Sequence, residues 1–512
     1  MTEKTLKATM FWNTVSNYWV LVLNMIMMVI LVRIQFTGLP KEDYGFWGLL
    51  WSVFGYSLLL DFGFGTSVQK YTSEVSVTGN WSKYNRLVST IFFNYCGLAV
   101  VIMIATLILS MYVGQIFKFE DSSSIDRYRT VFLMFGIGTA FVFPTGFFAE
   151  ILRGIQLIRL RNNISMIFSI LNFLGIAIAV KSGYSLIAMT VISVFTHLAT
   201  NLVMAFFCFR RLENFSIKLS DYHFGMMKEV MSFSMFAYVI MFSNIIIFQT
   251  DQIVISVFAS VGLVAFYQIA SRLASTFMYF STRFNDNLGP VASVFHASGQ
   301  SDKLASMQLY SSRIIGALAT LMLVPLVAYI GPLLEVWLEL TEPASRMCAV
   351  ILLLSSYFLV FFRSGSVQIL LMCGREKELM IVAVIECVAN LVVSIILVKK
   401  LGMVGVAIGT LIPNIVLGCV YNIPVACKFA KVGMWEFFSF SVFRTVIVGA
   451  VSAAFAYWLS YLYYPNNLKI LFVFCCAACG LYVVLFYIIG ISSQERKRLN
   501  EMVLRRLKPR NA

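Results

Sequence analysis

Residues 154–188 read GIQLIRLRNNISMIFSILNFLGIAIAVKSGYSLIA, and residues 374–407 read GREKELMIVAVIECVANLVVSIILVKKLGMVGVA. The second stretch repeats the plan of the first. A charged turn follows a glycine, and an apolar run carries one buried-type asparagine, Asn172 or Asn390. A Val-Lys pair (Val180-Lys181, Val398-Lys399), a glycine turn (Gly183, Gly402) and a second apolar run complete each copy. The offset is roughly 218 residues, as an internal duplication requires. A fainter echo at about the same period pairs Phe36–Tyr44 (FTGLPKEDY) with Phe258–Tyr267 (FASVGLVAFY).

Each copy is two apolar runs of membrane-crossing length joined by a turn of two or three residues, which places consecutive helices antiparallel and in contact. The rest of the chain follows suit. Of 512 residues, 60% are hydrophobic and 12% charged, and the mean hydropathy is +0.84. A soluble chain carries about 25% charged residues. A helix crosses a hydrocarbon core of ~30 Å in about 20 residues. Such runs recur about fourteen times, near 10–33, 44–67, 88–114, 130–152, 163–181, 184–208, 231–257, 262–284, 309–331, 347–371, 379–398, 403–427, 440–462 and 468–491. The short alternating segments of a membrane β-barrel are missing. The fold class is therefore an all-α polytopic membrane protein. Duplication divides it into an N-terminal six-helix bundle (1–215), a C-terminal six-helix bundle (216–432), two additional transmembrane helices (433–492) and a basic tail (493–512). Six spans per copy start both copies on one face, which makes the repeat a parallel one.

The net charge of +15 does not signal nucleic acid. The basic residues fall in alternate connections, as the topology rule for inner loops requires. They include Lys70, Lys83, Arg86, Arg153, Arg159, Arg161, Arg210, Arg211, Arg375, Lys377, Lys428 and Lys431, while the opposite turns carry Glu42, Asp43, Glu120, Asp121, Glu335 and Glu339. Both termini are expected to be cytoplasmic. In the tail, Leu499, Met502, Val503 and Leu507 form one stripe among arginines and lysines, the pattern of a helix lying on an anionic leaflet or of a solvated basic tail. The first apolar run is too long for a secretory leader and lacks an Ala-x-Ala cleavage site. Ten cysteines without paired spacing read as small apolar residues rather than zinc ligands or disulfides. The longest connections, around Thr66–Leu87 and Asn285–Gln308, are too short for a soluble domain.

Chemistry must then reside within the spans, where an ionisable side chain costs about 2.5–3.5 kcal/mol to insert. Arg272 stands about 10 residues into its span, ~15 Å deep, where snorkelling to water is difficult. It is expected either to offer a cationic site to an anionic substrate or to pair with Asp251, which lies in what reads as a polar break, Gln249-Thr250-Asp251-Gln252. Asp251, Arg363 and Asp61 are further candidates for a cavity, and Glu386 and Asp61 for carrying a coupling ion. Each of these also suits a packing role. Arg33, Arg283, Arg313 and Arg444 lie near span ends and can snorkel. His197 reads as a hydrogen-bonded packing residue. Pro144, Pro325, Pro413 and Pro424 interrupt apolar runs and bend helices. No HExxH, nucleophile elbow, phosphate-binding glycine loop or cluster of acidic metal ligands occurs, so the sequence calls for no catalytic residue, no metal and no cofactor.

The segment TGLPKEDYGFWGLLWSVFGYSLLLDFGFGTSVQKYTSE (37–74) resembles the N-terminal signature of bacterial polysaccharide-export flippases. FQTDQIVISVFASVGLVAFYQIASRLA (248–274) resembles the start of that family's second half, and LGPVASVFHASGQSDKL (288–304) its connection after the eighth helix. The resemblance implies the MATE-like fold of the multidrug/oligosaccharidyl-lipid/polysaccharide exporter superfamily, with two six-helix bundles around a central cavity and two extra helices. It further implies a transporter, not an enzyme, that turns polyprenyl-diphosphate-linked oligosaccharide from the inner to the outer leaflet of the bacterial plasma membrane. O-antigen, capsule or related glycan assembly would consume the product. Membrane lipids, H+ or Na+ as coupling ion, and contact with the glycan polymerase machinery belong to the same expectation. A cation-coupled multidrug exporter of the same superfamily and a membrane glycan polymerase are the alternatives.

Overall fold

A computed structural model describes residues 3–184, 186–226, 235–282, 288–491, 495–497 and 501. Among them every regular element is helical. In chain order the principal helices are α1 (Glu3–Gly38), α2 (Lys41–Gly55), α3 (Phe64–Thr78), α4 (Trp81–Met111), α5 (Ile125–Val142), α6 (Phe148–Gly154), α7 (Ile158–Lys181), α8 (Leu186–Arg211), α9 (Met235–Phe258) and α10 (Val261–Thr282). There follow α11 (Leu288–Ala297), α12 (Ser301–Ala328), α13 (Ile330–Leu338), α14 (Pro343–Phe358), α15 (Gly365–Met372), α16 (Glu376–Leu401), α17 (Met403–Leu417), α18 (Ile423–Ala430), α19 (Arg444–Leu462) and α20 (Leu468–Leu485).

Among the described residues, 12 helices are long and apolar enough to cross a membrane, or 13 when a pair bent by 46°, Lys41–Asp61 with Phe64–Thr78, counts as one span. The remaining expected span, 262–284, is α10, a helix of 22 residues that Gln268, Ser271, Arg272, Ser275 and Thr276 make more polar than the others. The connections around 66–87 and 285–308 are largely helical, because α3 runs to Thr78 and α4 starts at Trp81, and because α11 and the start of α12 together fill most of the second. Arg283 and the apolar stripe of the tail lie outside the described residues.

Packing divides the chain into two compact units, Met1–Phe266 and Tyr267–Ala512. The expected bundle limit at 215/216 falls inside the first of them. The reason is local. The backbone N–H of Lys118 donates to Ser256 O at 2.9 Å, and that of Val261 donates to Lys118 O at 2.9 Å. Gly45 of α2 lies directly against the Val261 carbonyl and 3.1 Å, measured from an added Cβ, from Ala265 N. So α9 and the start of α10 are tied to the first unit.

The duplicated hairpins are built alike, each within its own unit. Asn172 on α7 donates to Thr196 Oγ1 on α8 at 2.9 Å, and Asn390 on α16 donates to Thr410 Oγ1 on α17 at 3.1 Å. The turns close through Gly183 at φ +76° and Gly402 at φ +56°, a region where a Cβ is strained. In hydrocarbon an unpaired amide is costly, so one Asn–Thr bridge per hairpin fixes the register of two helices that apolar packing alone would leave free to slide.

Of the four prolines within apolar runs, Pro144 alone sits at a break between helices. Pro144 sits in a 3-10 turn, Phe143–Thr145, between α5 and α6. Pro325 and Pro413 lie inside α12 and α17, and Pro424 follows a π segment, Gly418–Asn422. Three further π segments, Leu359–Ser364, Phe438–Phe443 and Phe486–Gly490, contain no proline.

Candidate functional site

Two intramembrane polar clusters and one polar stripe hold the candidate residues. In the first unit the span after α2 is broken. A 3-10 turn, Tyr56–Asp61, ends at Phe62 and Gly63, both left-handed at φ 46° and 78°, before α3 begins. Gly63 supplies the conformation that a side chain resists, and Phe62 accepts the strain. Asp61 therefore stands at a helix break rather than at a glycine-rich contact. Tyr95 Oη donates to Asp61 Oδ1, and a Cβ on Gly65 would sit 3.7 Å from Asp61 Oδ2 and 3.5 Å from Glu150 Cγ. Glu150 accepts from Arg153 Nη1 at 3.0 Å on both oxygens.

Helix α9 packs alongside this break. Tyr238 Oη donates to Leu59 O at 2.5 Å, Tyr56 Oη and Thr250 Oγ1 lie 2.5 Å apart, and the Gln249 amide covers Gly55. The stretch Gln249–Gln252 is not a break. It lies inside the continuous α9, and two of its side chains, Gln249 and Thr250, face the start of the irregular segment in the neighbouring span. A 3-10 segment whose carbonyls lack helical partners needs donors, which Tyr238 provides. Asp251 is buried on the same helix.

In the second unit the structure brings together two residues to which sequence reasoning assigns separate roles. Arg363, in the π segment Leu359–Ser364, meets Glu386 of α16 end on, with Nη1 donating to Oε1 at 2.7 Å and Nη2 to Oε2 at 2.8 Å. Nη1 also donates to Asn414 Oδ1 at 2.7 Å. The Asn422 amide, oriented with its oxygen toward the guanidinium, accepts from Nε at 3.0 Å and from Nη2 at 3.1 Å. Asn414 Nδ2 in turn donates to Ser355 O at 2.9 Å and to Ser355 Oγ at 3.2 Å. The two charged side chains retain only 11% and 9% exposure. Gly418 makes room, since a Cβ there would lie 3.1 Å from Arg363 Cδ.

Arg272 differs. It is exposed on α10, with Gln268 a turn before it and Ser275 and Thr276 a turn after it, so that positions spaced by three and four make one polar stripe. Its cation is not wedged into dry packing. Arg313, expected to snorkel, is instead buried. It donates to Gly490 O and to Glu495 Oε1, the latter at 2.9 Å, and lies over the Phe440 ring with its guanidinium carbon 4.8 Å from the centroid. That role had no sequence signal, because its acceptors are a backbone carbonyl and a residue some 180 positions away. His197 packs edge-on against Trp51, with ring centroids 5.8 Å apart.

At the start of α2, Asp43 is locked by Tyr128 Oη at 2.7 Å and Arg127 Nη2 at 2.5 Å. Glu42 Oε1 accepts from the Glu120 backbone N–H at 2.6 Å. On the turn itself, the Ser123 and Ser124 hydroxyls and the Ser123 N–H hold the Asp121 carboxyl below the usual carboxylate range. The acidic motif is thus a junction between α2 and α5.

The polysaccharide biosynthesis protein family has a model that matches residues 6–286. Among solved structures, the chain is similar to an inward-facing multidrug resistance MATE family transporter of the MOP superfamily, with TM-score 0.67 and 17% identity over 80% of this chain and 94% of that one. It is likewise similar to lipid II flippase MurJ in an inward closed conformation, with TM-score 0.67 and 14% identity over 93% of this chain and 98% of the other. A MOP superfamily transporter from Pyrococcus furiosus is similar at TM-score 0.50 and 15% identity over 82% of this chain and 95% of that one. No curated protein matches the sequence.

Proposed function

The chain belongs to the polysaccharide biosynthesis protein family, and from that premise we propose that it flips a polyprenyl-diphosphate-linked oligosaccharide from the inner to the outer leaflet of the bacterial plasma membrane. The family and the fold are those of MOP-superfamily flippases and transporters. The observation that carries the finer reading is Arg272, a cation held mid-helix on a polar stripe and left exposed. A diphosphate is matched by a guanidinium fork. Ionisable residues within membrane helices are costly and almost always face the bundle interior or a water-filled cavity. In this reading the two halves, 1–215 and 216–432, open alternately to the two faces, both termini are cytoplasmic, and Arg272 escorts the head group. Asp61 suits a coupling H+ or Na+, because broken membrane helices present carbonyls and dipole ends to ions. The flipped product would feed O-antigen, capsule or exopolysaccharide assembly next to the polymerase machinery.

The test is complementation. A strain lacking the gene is expected to lose surface polysaccharide and to accumulate lipid-linked repeat units, and the wild-type chain to restore both. Normal glycan with new drug sensitivity would move the chain to the multidrug-exporter reading. Arg272→Ala should abolish complementation at an unchanged protein level in the membrane. A drop in that level would reassign Arg272 to packing, and a cysteine at position 375 reacting from outside the cell would overturn the topology.

A further inference from the structure

The two hairpins of the repeat each carry an asparagine that reaches back to an irregular segment of the preceding span. In the first unit Asn201 on α8 donates to Val142 O at 3.3 Å and Thr145 Oγ1 at 3.2 Å, at the 3-10 turn Phe143–Thr145. In the second, Asn414 on α17 donates to Ser355 and accepts from Arg363 in the π segment Leu359–Ser364. The pair is offset by roughly 213 residues, close to the spacing of the Asn–Thr bridges, so the positions correspond. Their chemistry does not. The first junction is held by neutral bonds at long distances. The second adds a bidentate charge pair at 2.7 and 2.8 Å.

All five guanidinium N–H groups of Arg363 have acceptors: two on Glu386, one on Asn414 and two directed at the Asn422 oxygen. No donor remains for a substrate phosphate. The elements packed on α16 isolate the pair further. Helices α15 and α17 contain no titratable residue, and the π segment Gly418–Asn422 contributes only Cys419 and Tyr421. The other charges on α16 stand at its ends, Glu378 being two turns from Glu386.

We propose that Arg363 and Glu386 are a matched positioning pair, each neutralising the other, which pins two π segments and makes the spans 343–372, 376–401 and 403–429 one rigid piece, while the neutral junction at Phe143–Thr145 is the deformable counterpart in the first unit. π segments are rare, single-turn departures from the regular helix. Here one guanidinium fixes the segment it sits in and, through Asn422, the segment facing it. Neither residue touches substrate or coupling ion; both act through the helices they hold. The two copies of the repeat are therefore mechanically unequal.

The test compares single with double neutralisation in the full-length protein. Arg363→Gln or Glu386→Gln alone strands a buried charge and should lower the yield of folded protein in membranes by about tenfold or more. Combining the two should bring the yield back to within about twofold of wild type. A double variant no better than the singles overturns the pairing. A double variant that folds yet fails in complementation overturns the claim that neither residue touches substrate or ion. That arm alone rests on the flippase reading; if the wild-type chain restores no glycan, the reading fails while the yields still decide the pairing. Hydrogen exchange on the purified wild-type protein checks the inequality. Amides of 142–147 should exchange at least about tenfold faster than those of 359–364. Equal or reversed rates would refute it.

Discussion

Gly45 offers the sharpest test of how the junction between α2 and the start of α10 is built. An added Cβ would fall against the Val261 carbonyl oxygen, inside any allowed contact, and 3.1 Å from both Ala265 N and Val261 C. All three are backbone atoms, so no side chain can rotate out of the way. Gly45→Ala must therefore push α10 from α2 or bend α2, at the ~1–3 kcal/mol typical of overpacking. The displaced segment also holds the Lys118–Ser256 and Val261–Lys118 backbone bonds, each worth about 0.5–1.5 kcal/mol net. Losing either adds to the strain. At about 2–4 °C per kcal/mol for a mid-sized domain, the melting temperature in detergent should fall by roughly 4 °C or more. Gly97→Ala is the control. It lies inside α4 with nothing within 4 Å of the added carbon, so it removes only a helix-disfavouring glycine and should leave the melting temperature unchanged or slightly raised. Scanning fluorimetry of both variants decides the matter. Equal melting temperatures for the two would refute the claim that backbone contact at Gly45 ties α10 to the first unit.

Two further outcomes follow from named contacts. Asp43→Ala strands Arg127 and Tyr128 and should lower stability by about 2–4 kcal/mol, since bonds to a charged group are worth ~1.5–3 kcal/mol and a carboxylate in the first turn of α2 adds a few tenths; Asp43→Asn should recover part of it, read as melting temperature, and equal losses would mean that the charge is irrelevant. Arg313→Met removes the anchor of Gly490 and Glu495 and should expose the tail to trypsin at Arg496 and Lys497 at least about fivefold faster, whereas an unchanged cleavage rate would show that Arg313 does not hold the tail.

Hydrophobic length made the spans legible, and the turns at Gly183 and Gly402 with Asn172 and Asn390 made the duplication legible, because both are local signals of composition and spacing. The break after Asp61 was not. The apolar run 44–67 continues across it, and nothing in Phe62 or Gly63 distinguishes a helix break from a close helix contact until backbone angles are known. The π segments are still more hidden, for one extra residue per turn leaves composition untouched. Gln249–Gln252 misled for the opposite reason: a polar run inside hydrocarbon reads as a break, yet here Thr250 and Gln249 face the irregular stretch of another helix.

The charged residues show the same division. Sequence placed Arg272, Asp61, Asp251, Arg363 and Glu386 within spans and attached a cost of insertion to each. It could not pair them, since pairing depends on which helix faces which. Arg363 and Glu386 are 23 positions apart on successive spans, and the arginine lies in a π segment that the sequence does not signal. Once paired they cease to be candidates for meeting a free anion, because a guanidinium whose five donors are engaged has nothing left to offer it. Arg272 gains by the same reasoning. Of the five, it is the cation that lies exposed on a polar stripe, and in the proposed reading the anionic head group meets it there.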